Sequence, residues 1–400
     1  MENHKQYTGY QSYQYLDAPG DYKRFRLAKE VGRVASSQIA LTPAEEARVQ
    51  SLLAENIAIS MHDHPVVVPE EINEIFEQKR LGRDFTGFQG LALSGLDGIF
   101  DNLMNGLCTI TSQAGWKWND VTHDLGMRLC DLAHQDFILV CDGVRDIVAA
   151  HETRRLALVP TLESATPIEN ELDRLDVLYG FGVRSMGVAY SEANALGSGL
   201  REGRDAGLTD FGRQAVRRMN KLGILIDAAH CGDQTTLDII EESELPIVIS
   251  HAGARALWDT PRLKPDHVLE AMAAKGGILG IEAAPHTTLT EQHPHHSIES
   301  CMEHFEYAVR LIGIEHVGFG PDTMFGDHVG LHRAYAAQLS VDKILGNKAF
   351  DPVEYVDGLE NPADFPNIVR WLVRQGYTDA DIAKVIGGNV VRVLTQVWVR

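Results

Sequence analysis

The chain carries eight short apolar, β-branched runs, separated mostly by helical patterns, and this alternation constrains the fold more than any other feature. The runs cover residues 57–61, 107–111, 156–161, 183–189, 223–229, 246–250, 277–283 and 316–320. Alternating strands and helices imply parallel βα units, and eight of them predict closure into a (β/α)8 TIM-type barrel. A weaker run at 137–140 adds a further strand candidate. Helix signals are clear in places. Thr42-Pro43-Ala44-Glu45 has the form of a capping box with proline at the first helical position, predicting a helix to about Glu55. Thr209 is placed to cap a helix that buries Val216, Met219 and Leu222 and stops at Gly223.

Domain organisation follows from the same reading. Residues 1–33 hold five of the eleven tyrosines and show no strand or helix period. They form an arm that either docks on the barrel, docks on a neighbouring subunit to give a homo-oligomer, or frays as a tail. Residues 34–400 form one barrel domain, with long connections at 65–106 and 323–362 on the side where strands end.

Composition removes several classes of partner. The formal charge of −20 disfavours nucleic acid and anionic membrane, which both require a positive surface. No apolar run reaches the ~20 residues of a membrane span, and the start of the chain lacks a signal-peptide core, so a cytoplasmic location is expected. Five widely spaced cysteines without a CxxC pair read as reduced thiols. Gly180-Phe-Gly182 fails the dinucleotide-binding spacing, and neither a phosphate-binding loop nor a GxSxG elbow is present.

Chemistry concentrates where the strands end. His62 and His64 follow the first run at i and i+2, a spacing that turns both imidazoles to one face while Asp63 turns away. His230 and His251 each end an apolar run, as do Glu163, Tyr190 and Asp322. A parallel barrel gathers its strand ends into one bowl, so these scattered residues can meet. Neutral imidazoles suit a zinc-like ion, Glu163 can bridge two cations, and Asp322 can bind metal while exchanging a proton with bound water. The glycines of Gly318-Phe-Gly-Pro-Asp322 let the backbone approach closely there. Cys231 should face away from its neighbour His230 and is read as structural.

The order of these residues resembles the membrane (renal) dipeptidase family within the amidohydrolase superfamily, over roughly residues 40–400. The resemblance is carried by Gly207-Leu-Thr-Asp-Phe-Gly-Arg213, Met219-Asn-Lys-Leu-Gly through His230, Ser250-His251-Ala-Gly-Ala-Arg255, Gly318-Phe-Gly-Pro-Asp322 and Asp381-Ile-Ala-Lys-Val-Ile-Gly-Gly-Asn389. It implies two divalent metal ions, expected to be zinc, that cleave dipeptides and related amides through a bridging hydroxide. Glu163 falls on the bridging glutamate, His230 and His251 on the second metal's histidines, and Asp322 on the proton-handling aspartate. Arg262, eleven residues after His251, falls on the arginine that holds the substrate's carboxylate.

Two departures qualify the likeness. The family's first motif reads HxD, and here it is His62-x-His64. Tyr190 stands where the family has a substrate-polarising histidine, followed by Ser191-Glu192-Ala193-Asn194; Tyr190 and Asn194 are therefore the expected substrate contacts, since a phenol can donate to a carbonyl. The expected function is hydrolysis of a small carboxylate-bearing amide, a dipeptide or N-acyl amino acid. The alternatives are a metal-dependent lyase or decarboxylase on the same barrel, or a catalytically silent binding protein.

Overall fold

The computed structural model describes residues 5–81, 83–102, 117–284, 287–338 and 354–398. The strands, in chain order, are β1 Ile59–Val67, β2 Phe85–Thr86, β3 Gly98–Asn102, β4 Ile138–Val140, β5 Leu156–Leu162, β6 Ser185–Gly187, β7 Leu225–Asp227, β8 Val248–Ala252, β9 Ile278–Ile281, β10 Val317–Phe319 and β11 Met324–Phe325. Nine of them follow the path β10-β9-β8-β7-β6-β5-β3-β1-β11, with each neighbouring pair parallel. β2 pairs antiparallel with β1 and makes the sheet mixed, while β4 adds to β5.

Eight of the nine strand candidates, 137–140 among them, coincide with strands found here. The candidate at 107–111 lies outside the described residues. The second position of the sheet, between β1 and β5, is taken by Gly98–Asn102, inside the stretch assigned to a long connection. That strand is only five residues long and pairs on both sides, so it shows neither alternation nor an extended apolar run.

The expected closed eight-stranded barrel is found as a curled sheet. Among the described residues no ladder joins β10 to β1. Pro321 has no N–H to continue the ladder. The chain instead turns at Asp322, whose N–H donates to the His62 carbonyl at 3.0 Å, and the His64 N–H donates to the Thr323 carbonyl at 2.8 Å. β11 then runs beside β1 with Met324 opposite His64. Asp63, turned away from the histidines, fastens this crossing. Its carboxylate accepts from the Thr323 N–H at 2.8 Å, the Thr323 hydroxyl at 2.7 Å and the Ser60 hydroxyl at 2.5 Å.

Helices line the sheet as the local chemistry dictates. The helix Pro43–Glu55 begins in the expected Thr42/Glu45 capping box. The helix Asp210–Leu222 is capped by Thr209 and closed by Gly223, whose φ of 77° no β-carbon would favour. At the other end of the sheet, Ile59, Met61, Val159, Leu225, Val248 and Ile278 pack with Val390, Val393 and Trp398 of the C-terminal segment. Each such buried side chain contributes about 1.5–3 kcal/mol relative to exposure. Asn389, from the last motif noted above, holds that segment by donating to the Ile314 and Val317 carbonyls at 2.8 and 2.9 Å.

The tyrosine-rich arm packs against this body. Tyr10 and Tyr13 are buried, the Tyr10 hydroxyl and Tyr13 N–H both reach Asp131 Oδ1 at 2.8 and 2.7 Å, and the Lys5 ammonium meets Asp97 at 2.7 Å. No helix among the described residues is long and apolar enough to cross a membrane. The four described cysteines, Cys130, Cys141, Cys231 and Cys301, are free, and Cys231 is buried with its sulfur toward the Ala189 carbonyl.

Candidate metal centre

Close approach of the backbone lets the strand ends meet. A β-carbon on Gly320 would lie 2.0 Å from the Ser250 carbonyl oxygen, and one on Gly187 would lie 2.0 Å from that of Glu163. Asp322 itself has a φ of 59°, a left-handed conformation that aspartate tolerates better than most residues and that aims its carboxylate back over β1.

Two clusters result, one of His62, His64 and Asp322 and one of Glu163, His230 and His251. In the first, Asp322 Oδ1 lies 3.3 Å from His62 Nε2 and 3.1 Å from His64 Nε2. In the second, Glu163 Oε1 lies 2.8 Å from His230 Nε2 and 3.4 Å from His251 Nε2, whose own separation is 3.0 Å. Glu163 Oε1 also lies 3.7 Å from His62 Nε2, which joins the clusters into one centre. A third grouping of His62, Asp227 and His251 overlaps both.

The donor set fits divalent cations. His62 Nε2 and Glu163 Oε2 are buried without a hydrogen-bond partner, a costly condition for groups that carry lone pairs. Burial holds His62 below its ordinary pKa and His230 and His251 well below, so these imidazoles are neutral, as ligands must be. Burial lifts Glu163 to about 8, a penalty that a neighbouring cation would remove. Burial also opposes charge on Asp322 and His64, but hydrogen bonds and neighbouring charges together outweigh it, those of His62, His64 and His251 for Asp322 and those of Asp322, Glu163 and Asp63 for His64. Asp322 lies well below its usual range and His64 rises to about 9.

His62, His64 and His251 have partners behind them, whereas His230 Nδ1 is buried without one. The His64 Nδ1 faces the Asn102 carbonyl at 3.4 Å, and the Asn102 side-chain amide meets His62 Nδ1 at 2.7 Å. The Asn102 Nδ2 donates to His62 Nδ1 there while its Oδ1 has no partner, and a half-turn of the amide would let the oxygen accept Nδ1–H and free the Nε2 lone pair towards Asp322 and Glu163. His251 Nδ1 lies 2.7 Å from the Ser250 hydroxyl, which donates to Asp227. Asp227 is itself fixed by the Ala229 and Ser250 N–H groups at 3.0 and 2.9 Å.

The expected substrate residues fall differently. The Tyr190 ring lies 4.1 Å from the His230 ring, and burial with the nearby Glu163 and Asp322 charges raises its phenol well above the usual value, keeping it a donor. Asn194 uses its amide inside its own loop, donating to the Val188 carbonyl and the Thr166 hydroxyl and accepting from Leu196 and Gly197 N–H groups. Arg262, the expected carboxylate contact, is buried. It donates to the His251 carbonyl at 2.8 Å, and its Nη2 lies 2.5 Å from Glu282.

Four features went unread in the sequence. Asn102 ends the unrecognised β3, and Glu282 follows β9 within a predicted strand. Ser250 stands behind His251, and Asp227 stands behind Ser250 and also groups with His62 and His251. His328 and His332 lie in the helix His328–Gln338, with Nε2 atoms 3.0 Å apart. For that last pair the i, i+4 spacing of two histidines was the available signal.

The curled α/β sheet and its two histidine–carboxylate clusters define a metal-dependent hydrolase of the amidohydrolase type. The family model for membrane dipeptidases, peptidase family M19, matches residues 120–338 and 341–399, and the chain belongs to that family. Dipeptidase tcpJ of Claviceps purpurea is 27% identical over 278 residues, 68% of this chain, and the match spans 58% of that protein. Among solved structures, an amidohydrolase from Pseudomonas aeruginosa matches with a TM-score of 0.71 and 24% identity, covering 88% of this chain and 99% of that one. The probable dipeptidase PvdM from the same organism matches with a TM-score of 0.70 and 19% identity, covering 89% and 99%.

Proposed function

We propose that this chain is a zinc-dependent, dipeptidase-like hydrolase that uses two ions on a functionally closed barrel and cleaves a small amide bearing a carboxylate. The observation that carries the reading is the single centre formed by two clusters joined at Glu163, with buried lone pairs on His62 and Glu163 that no protein donor satisfies. His62, His64 and Asp322 would hold one ion and His230 and His251 the other, with Glu163 between them. Divalent ions so held lower the pKa of a coordinated water towards ~7 and polarise a carbonyl.

The chain's own residues supply the rest. Asp322, ionised and aimed into the centre, accepts the proton of the attacking water and passes it to the departing nitrogen. Tyr190, protonated, donates a hydrogen bond to the carbonyl oxygen as charge gathers on it. Arg262 offers its remaining donors to the substrate carboxylate, and Asn194 braces the loop that follows Tyr190. The test is turnover of the zinc-loaded protein on a panel of dipeptides and N-acyl amino acids. Amine release that chelation abolishes is expected. Release of carbon dioxide with the amide intact would overturn hydrolysis in favour of a lyase.

A further inference from the structure

The helix His328–Gln338 follows β11 directly and carries two histidines that the reading above does not use. They are one turn apart, so both project from the same helix face. His328 is buried and His332 partly so, their rings lie 4.6 Å apart, and their Nε2 atoms face each other at 3.0 Å. His230 and His251, in the second cluster, show the same 3.0 Å separation. For nitrogen ligands at ~2.0–2.1 Å from an ion, that spacing corresponds to an angle of about 95° at the metal, which neighbouring ligands of one ion can adopt.

Burial leaves both rings in the form that ligates metal. It holds His328 well below its ordinary pKa and His332 at about 4; the Asp322 charge acts the other way on both, while His64, and for His332 also Arg201, adds to the lowering. Both rings are thus neutral at physiological pH, and the Asp322 carboxylate supplies negative charge nearby.

We propose that His328 and His332 form an additional divalent-metal position beside His64 and Asp322, distinct from the two ions of the catalytic centre. Two protein donors leave its other coordination sites to water or to an oxygen of a bound ligand. It therefore holds its ion more weakly than the centre does and fills last. The inference stands on this pair's geometry and does not require the catalytic centre to be binuclear.

The test titrates cobalt(II) into protein already holding its tightly bound metal, followed by calorimetry and visible absorption. The wild type should take up one further, weaker equivalent that is absent from both His328→Gln and His332→Gln, whose circular dichroism and Tm report the fold. No further equivalent in the wild type, a measurement that needs no variant, would overturn the proposal. So would a further equivalent retained by either folded variant. A tightly bound content of one ion, with the weak equivalent still lost in the variants, would overturn the binuclear reading and leave this one standing.

Discussion

The guanidinium of Arg262 lies 2.5 Å from the carboxylate of Glu282, a residue fully withdrawn from solvent. Thr287 donates to the other oxygen of Glu282, and Arg262 also donates to the His251 carbonyl. One ion pair thus links the loop after β8 to the end of β9 beside the metal centre. Removing one partner of such a buried pair leaves the other charge uncompensated. Glu282→Ala should therefore lower unfolding stability by about 3–5 kcal/mol, read from urea denaturation. A loss within 0.5 kcal/mol would show that solvent replaces Glu282 freely.

Arg262→Lys addresses substrate choice. A lysine keeps the charge but loses the planar fork. KM for a carboxylate-bearing amide should rise about tenfold or more, with a much smaller change for its amide-capped counterpart. Equal changes on the two substrates would mean that Arg262 serves the ion pair and does not read the carboxylate.

Asp322→Asn should retain the turn after β10, since asparagine also tolerates a left-handed backbone, but cannot accept a proton. A fall in kcat of about 10²–10⁴-fold is expected. Near-normal turnover in this variant would assign proton transfer to another group.

Asn102→Ala tests the orientation of His62 from behind. Loss of such a partner commonly costs about 10–100-fold in metal affinity. Competition with a chelator measures it, and unchanged affinity in the variant would show that His62 is held by its strand alone. In the wild type, elemental analysis should find two divalent ions per chain, with affinity falling in acid as ligands take up protons.

His151 supplies a pH dependence away from the centre. Its hydrogen bond with Asp97, at 3.0 Å, raises its pKa in the folded protein. The folded state then binds the proton more tightly than the unfolded state does. The resulting stabilisation is complete below the ordinary value of 6.5 and is lost as pH rises through the raised one. The site is partly exposed, so the effect should be about 0.2–1 kcal/mol. The stability gap between wild type and His151→Asn should therefore be wider at pH 5.5 than at pH 9, and a gap that grows with pH would contradict the assignment.

The sequence by itself determined the parallel βα plan and the metal-ligand candidates, because both are written in local spacing. An apolar run ending in histidine, as at His230 and His251, states its strand, its direction and its chemistry at once. Thr42 and Thr209 likewise announced their helices through backbone donors that only a nearby side chain can satisfy. Tertiary structure decided what depends on partners distant in the chain. Gly98–Asn102 became a strand by pairing with β1 and β5 on its two sides, a stabilisation absent from its own five residues. Arg262 is held in the interior because Glu282 can compensate its charge there. The way the sheet ends meet was settled by Asp322 and Thr323, which bond to β1 across some 260 residues of chain that no local period can register.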